Sequence, residues 1–120
     1  LGATGVSVER SEALSRHAAV LLAELGLTQR IRLVVADGTL GYAEEAPYDR
    51  ILVTAGAPHV ASAYRLQVAD GGILVLPEGP RCEQALMVYR RRGDSWSSRN
   101  IIGCRFVPLM GQDGWRAGEL

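Results

Sequence analysis

Apolar residues recur along this chain with two periods, and the alternation of those periods outlines the elements. Residues 3–8 are short and partly apolar and lead to Glu9, a pattern that predicts a strand feeding a helix. Leu14, Ala18, Leu21, Leu22 and Leu25 then recur at helical spacing. Ser11 suits the N-cap, because its hydroxyl can accept from an unpaired helix N–H. Gly26 suits the stop, because glycine takes a left-handed cap at little cost. Residues 31–36 predict a second strand, ended by Asp37-Gly38, and residues 48–54 a third. The run Ile51-Leu52-Val53 is continuously apolar, as a strand covered on both faces requires. Ala55-Gly56-Ala57-Pro58 reads as a loop, followed by a helix from about 59 to 68 that Asp70-Gly71-Gly72 closes. Residues 73–76 predict a buried strand stopped by Pro77. Residues 85–89 and 101–107 predict two more strands, joined by the polar, turn-like stretch 93–100 as an antiparallel hairpin. The tail from Gly111 is glycine-rich and carries Trp115.

The resulting order is β-α-β-(turn)-β-α-β-β-β. Strands alternating with helices imply parallel pairing with right-handed crossovers, and the last pair departs from that rule. The expected fold is an α/β, Rossmann-like, mostly parallel sheet with a C-terminal antiparallel strand pair. No repeat, low-complexity tract or domain boundary interrupts residues 1–120, which read as part of one domain.

Composition narrows the functional classes. The chain is 48% hydrophobic and 22% charged, the mix of a soluble globular protein, and its formal net charge is +0, so it has no general pull toward nucleic acid or acidic membranes. Arg90-Arg91-Arg92 forms the one basic run, readable as a solvated strand end or as a phosphate patch, with the strand end favoured. Cys82 and Cys104 match no zinc or redox spacing, and read as free thiols of a reducing, cytoplasmic compartment. No run has the length of a membrane span, and no signal peptide or metal-ligand spacing is visible.

In open α/β sheets, ligands bind at the carboxyl ends of the strands. Glu9 ends the first strand. Its carboxylate could accept from both hydroxyls of a cofactor ribose, or could simply sit near a helix N-terminus, where the dipole favours any acid. Asp37-Gly38 ends the second strand. The acid could bond an adenine amino group while the glycine lets a planar base approach, or the pair could be only a turn. Thr54-Ala55-Gly56-Ala57-Pro58 ends the third, and its small residues suit either a ligand or a tight turn. His59 reads as a helix cap or a substrate contact, with the cap favoured. His17 reads as a surface residue, and Trp115 as a packing residue that could also cover a ligand. The sequence shows no Ser-His-Asp grouping, metal-spaced set or paired carboxylates, which argues against hydrolysis and metal catalysis. Methyl transfer to a carboxylate needs none of these. That nucleophile is ionised at neutral pH, and aligning two bound reactants supplies the rate.

Five segments then resemble one family in order along the chain. They are Val6-Ser7-Val8-Glu9-Arg10-Ser11, Ala36-Asp37-Gly38-Thr39-Leu40-Gly41, the stretch from Ala46-Pro47-Tyr48-Asp49 to Val53-Thr54-Ala55, Gly71-Gly72-Ile73-Leu74-Val75-Leu76-Pro77, and Phe106-Val107-Pro108-Leu109. Together they resemble protein-L-isoaspartate O-methyltransferase. The resemblance implies a class I S-adenosylmethionine-dependent methyltransferase sheet and methylation of isoaspartyl carboxylates in damaged proteins, the first step of their repair. It implies Glu9 at the ribose with Arg10 beside it, Asp37 and Gly38 at the adenine, and Met110 closing over the cofactor through its backbone. Thr54, Ala55, Pro58 and His59 fall on the substrate side. The implied partners are isoaspartyl proteins and peptides, and the complete protein is expected to be a monomer.

The chain departs from the family pattern at Ala61, where a proline is usual, and at Glu78, where a small apolar residue is usual. The family's glycine-rich loop, the strand before it and an upstream serine-containing segment would precede Leu1, and the catalytic residues are expected there. That strand would be the central one, between the strands ending at Glu9 and Thr54. A dinucleotide-dependent oxidoreductase is the competing reading, because an acid after the second strand also binds ribose in that class. It leaves the Asp-Gly and Phe-Val-Pro-Leu segments without explanation. A truncated, non-catalytic remnant is the third. Without a central strand, two edges would stand unpaired. The chain by itself is therefore expected to be inactive and marginally folded. Urea denaturation followed by circular dichroism checks this: the expected transition is weak and broad, and a cooperative one worth several kcal/mol would contradict it.

Overall fold

The computed structural model describes residues 2–119, which divide into two compact units, one up to Gly38 and one from Thr39 onward. The first is a β-α-β unit. Strand β1 (Gly5–Glu9) leads into helix α1 (Glu12–Glu24) and returns as β2 (Ile31–Val35). The two strands are parallel, in register from Gly5 opposite Ile31 to Glu9 opposite Val35. Ser11 caps α1 as expected, its Oγ accepting from the Leu14 N–H at 3.2 Å. Gly26, at φ +71°, closes the other end. Its N–H donates to the Ala23 carbonyl and that of Leu27 to the Leu22 carbonyl, the paired bonds of a Schellman motif. The apolar stripe is only partly used: Ser15 is buried, whereas Leu14 and Leu25 are 61% and 70% exposed. A floor of two strands is too narrow to cover the whole stripe.

The second unit is a four-stranded sheet in the order β3-β4-β5-β6, comprising β3 (Tyr48–Leu52), β4 (Val68–Glu78), β5 (Gln84–Arg92) and β6 (Ser95–Cys104). β3 and β4 are parallel, joined through helix α2 (Ser62–Gln67), and the other two ladders are antiparallel. Short 3-10 turns occupy Gly38–Leu40, Ala43–Glu45 and Ala117–Glu119. Leu74 and Leu76 are fully buried on one face of β4, against Tyr64 of α2 and Ala57, Val60 and Ala61 of the loop before it. No helix among the described residues is long and apolar enough to cross a membrane.

Several elements differ from expectation, each for a physical reason. β3 is not covered on both faces: Leu52 is 70% exposed, and burial falls on Val53, just past the strand end. Asp70-Gly71-Gly72 does not separate a helix from a strand but forms a bulge inside β4, between the pairs Tyr48–Val68 and Arg50–Ile73. Gly71 there has φ +77°, and a Cβ on Gly72 would stand 2.7 Å from Val68 Cγ1. Pro77 does not end the strand but pairs with Leu86 inside it. Its carbonyl accepts from the Ala57 N–H, so its missing N–H lies on the side where β3 has already ended and no ladder bond is lost.

The stretch 95–100 is strand rather than turn. The hairpin closes in Gly93-Asp94, with Gly93 at φ +58° as a type II′ turn requires of its first central residue. β6 is an edge strand, exposed along nearly its whole length, so it carries polar residues, and it stops at Cys104. Within the arginine run, Arg91 serves the strand end, donating to the carbonyls of Val68 at 2.6 Å and Gly93 at 2.8 Å.

The unusual Glu78 also finds a partner, because its carboxylate accepts from the Tyr89 hydroxyl of β5. The Arg65 guanidinium stands 5.9 Å from the Tyr89 ring and 5.8 Å from that of Trp96. Burial, and after it the hydrogen bond and charge of Glu78, push the Tyr89 hydroxyl up to about 12, against a smaller opposing pull from Arg65.

Two outcomes follow from this packing. Leu74→Ala should cost about 2–5 kcal/mol, enough to abolish the weak urea transition expected of this chain, whereas Leu52→Ala should leave that transition within about 0.5 kcal/mol of its place. The raised Tyr89 value adds stability that is fully present below the unfolded tyrosine value of 10.0 and is lost as pH rises through about 12. Ultraviolet titration should show one tyrosine ionising near 12, and Tyr89→Phe should remove that step.

Candidate functional site

The carboxyl ends of β1 and β2 lie side by side because the strands are parallel. Glu9 is paired with Val35, and the Ala36 N–H donates to the Glu9 carbonyl at 3.1 Å, so Asp37 and Gly38 follow directly beside it. One oxygen of the Glu9 side chain, Oε1, accepts from the Ser11 N–H at 3.0 Å. The carboxylate thus helps open α1, and its Oε2 has no hydrogen bond among the described residues. Arg10 is exposed beside it. Gly38 is not demanded by the chain's own geometry. Its φ is not positive, and a Cβ there would meet Val8 only at 3.9 and 4.0 Å, ordinary contact. The structure thus brings Glu9, Arg10, Asp37 and Gly38 to one sheet edge.

In the second unit, the loop after β3 is held by the end of the chain. The Gly56 N–H donates to the Val107 carbonyl at 2.7 Å, and the Leu109 N–H returns to the Gly56 carbonyl at 2.9 Å. Gly56 is buried against the side-chain amide of Gln84, where a Cβ would come within 2.9 Å. Gln84, 4% exposed, accepts from the Phe106 N–H at 2.8 Å and donates to the carbonyls of Pro80 at 2.7 Å and Arg81 at 3.1 Å. Thr54 and His59 are exposed, while Ala55 and Pro58 are half-buried. Met110 is half-buried and bridges to Trp115, which pins the tail: its N–H donates to the Leu109 carbonyl and its carbonyl accepts from Gly111. The Trp115 indole N–H is buried with no partner among the described residues.

His59 is not the cap of α2. That helix starts at Ser62, and Asp113 caps it from 51 residues away, accepting from the Ser62 N–H at 3.0 Å. His59 Nε2 lies 2.6 Å from the other oxygen of the same carboxylate. Hydrogen bonding to His59, then to the Ser62 N–H, holds the Asp113 carboxyl below its ordinary range. Asp113 and Gln84 went unrecognised in the sequence, because Asp113 is 51 residues or more from its side-chain partners and Gln84, though close to Pro80 and Arg81, is 22 residues from Phe106. The one available signal was the resemblance of the flanking segments.

Beside this loop cluster an open cavity of about 840 Å³ is lined by Arg81, Cys82, Arg105, Phe106, Val107, Pro108 and Trp115. Cys82 and Cys104 are free thiols. No cluster of metal-ligating side chains occurs among the described residues.

Comparison with known proteins is consistent along the length. A relative from Chlorobium phaeobacteroides, named protein-L-isoaspartate O-methyltransferase, is 44% identical over 116 residues, 97% of this chain and 52% of its own. One of the same name from Trichlorobacter lovleyi is 45% identical over 92% of this chain and 51% of its own. The chain thus spans about half the length of the curated relatives it matches. A solved protein-L-isoaspartate O-methyltransferase superposes with a TM-score of 0.82 at 27% identity, covering 91% of this chain and 35% of its own. A Plasmodium falciparum structure of this description, in complex with S-adenosyl-L-homocysteine, shares the fold with a TM-score of 0.76 at 18% identity, covering 88% of this chain and 51% of its own. The sequence model described as protein-L-isoaspartate(D-aspartate) O-methyltransferase matches residues 1–114, and the chain belongs to that family.

Proposed function

We propose that the complete protein transfers a methyl group from S-adenosylmethionine to the side-chain-type carboxylate of L-isoaspartyl residues in damaged proteins. Residues 1–120 are read as the C-terminal part of its single methyltransferase domain. The observation that carries this reading is the side-by-side placement of Glu9 and Asp37-Gly38 at the carboxyl edge of a parallel strand pair. Membership of the family supplies the chemistry to which that edge is fitted.

The residues suit the cofactor's nucleoside end. Glu9 Oε2 is available to a ribose hydroxyl, with Arg10 beside it, while Oε1 stays on the Ser11 N–H and fixes the carboxylate's direction. Asp37 is assigned to the adenine amino group as acceptor. Gly38, where neither backbone conformation nor packing calls for glycine, leaves room for a flat base. Met110 is assigned to the cofactor through its backbone. Thr54, Ala55, Pro58 and His59 are assigned to the peptide.

When bound, the sulfonium cofactor supplies an already activated methyl group. The chain's task is then to hold and orient, and no acid or base among these residues is needed, because the nucleophile is a carboxylate. The Gly56 tie to Val107 and Leu109 keeps the peptide-side loop from drifting. The setting we assign is cytoplasmic and monomeric, without nucleic acid, in keeping with a formal net charge of +0 and two free thiols.

The test is transfer of labelled methyl to an isoaspartyl peptide by the complete gene product, with the aspartyl peptide as the inert control. Absence of transfer would overturn the reading. Glu9→Gln keeps an acceptor for Ser11 but loses the charge, and it should weaken S-adenosylhomocysteine binding about tenfold by calorimetry.

A further inference from the structure

Asp113 holds two loops together. Its Oδ1 meets His59 Nε2 at 2.6 Å and its Oδ2 accepts from the Ser62 N–H at 3.0 Å. Its own N–H donates at 3.1 Å to the hydroxyl of Thr39, which is fully buried. The residue is therefore fixed through both backbone and side chain, and it in turn fixes its partners. The Asp113 side chain is 31% exposed and that of His59 55%, so the contact sits at the surface of the loop cluster rather than inside it.

An ionised carboxylate only accepts, so the Nε2 of His59 must carry the shared proton. The ring is thereby pinned by one nitrogen, and its Nδ1 has no hydrogen bond among the described residues. In the protonated ring Nδ1–H is a donor suited to a peptide carboxylate. His59 follows directly on Thr54-Ala55-Gly56-Ala57-Pro58, the loop assigned to the peptide. Asp113 lies in the same terminal loop as Met110, which is assigned to the cofactor.

We infer that Asp113 is a positioning residue for peptide recognition, holding His59 in the orientation that meets the carboxylate-bearing substrate. This rests on the methyl-transfer reading above. Asp113 touches neither reactant and acts through His59. Loss of the contact frees the imidazole to leave its place, while the Gly56 tie to Val107 and Leu109 still holds the peptide-side loop. Substrate binding suffers, while the alignment of bound reactants is left largely intact.

Three variants of the complete gene product test this in the isoaspartyl assay: Asp113→Asn, His59→Gln and the two combined. Asparagine keeps a carbonyl for the Ser62 N–H, so it separates the His59 contact from the helix cap. Each single variant should raise KM for the peptide about tenfold with kcat little changed, and the double variant should be no worse than Asp113→Asn alone. A merely structural role would instead reduce the folded fraction and leave KM where it was. An active wild type whose KM is unmoved by either single variant overturns the inference and leaves the methyl-transfer reading standing. A wild type that transfers no methyl overturns both. His59, being exposed, gives a readout even if the Asp113 variant folds poorly.

Discussion

The second unit is organised around a place where no side chain fits. At Gly56 the backbone exchanges hydrogen bonds with Val107 and Leu109, while the amide of Gln84 occupies the space a Cβ would need. This contact returns the end of the chain to the carboxyl end of β3. Gln84 can lie so close because its own amide is satisfied by Pro80, Arg81 and Phe106. A buried amide with unpaired groups would cost about 1–3 kcal/mol for each, so the glutamine and the three backbone groups require one another. Gln67 repeats the device: it is 7% exposed and bonded to the Tyr42 N–H and the Leu40 carbonyl, with Gly41 between them at φ +61°. Loops that would otherwise need water are closed by single polar side chains from neighbouring helix and strand.

How much of this could be read in the sequence follows from the range of each interaction. The α1 boundaries were legible because Ser11 and Gly26 act within a few residues of themselves. The ends of β1 at Glu9 and of β2 just before Asp37 were legible for the same reason. The polar stretch 95–100 was not, since an exposed edge strand has no apolar face to announce it. Pro77 misled because its cost depends on whether a neighbour still runs alongside, which only the end of β3 decides. α2 begins at Ser62 because Asp113 caps it from 51 residues away, and no local pattern encodes that.

The departure at Glu78 teaches a related lesson. As an isolated residue it breaks the family's apolar habit, and the sequence offers no reason. In the sheet it sits diagonally from Tyr89, which itself lies under Arg65, so acid, phenol and guanidinium form one set across β4, β5 and α2. The acid here has a donor in the Tyr89 hydroxyl. Substitutions of this kind become intelligible as pairs and misleading one at a time.

A reaction that needs no general acid or base shifts the burden from chemistry to placement. Under the proposed methyl transfer, with an ionised nucleophile and an activated methyl group, the protein's contribution would be the probability that the two are aligned, and that probability falls as the supporting loops gain freedom. It is therefore consistent that the polar residues holding the loop cluster are acceptors and donors aimed at backbone. Gln84 and Asp113 spend their hydrogen bonds on Phe106, Ser62 and the carbonyls of a neighbouring loop, not on a nucleophile. His59 alone among them keeps a ring nitrogen uncommitted to the chain, and it is the residue Asp113 takes hold of. In a site that works by alignment, the residues worth mutating first are those that fix the loops, even though none of them would be recognised by its reactivity.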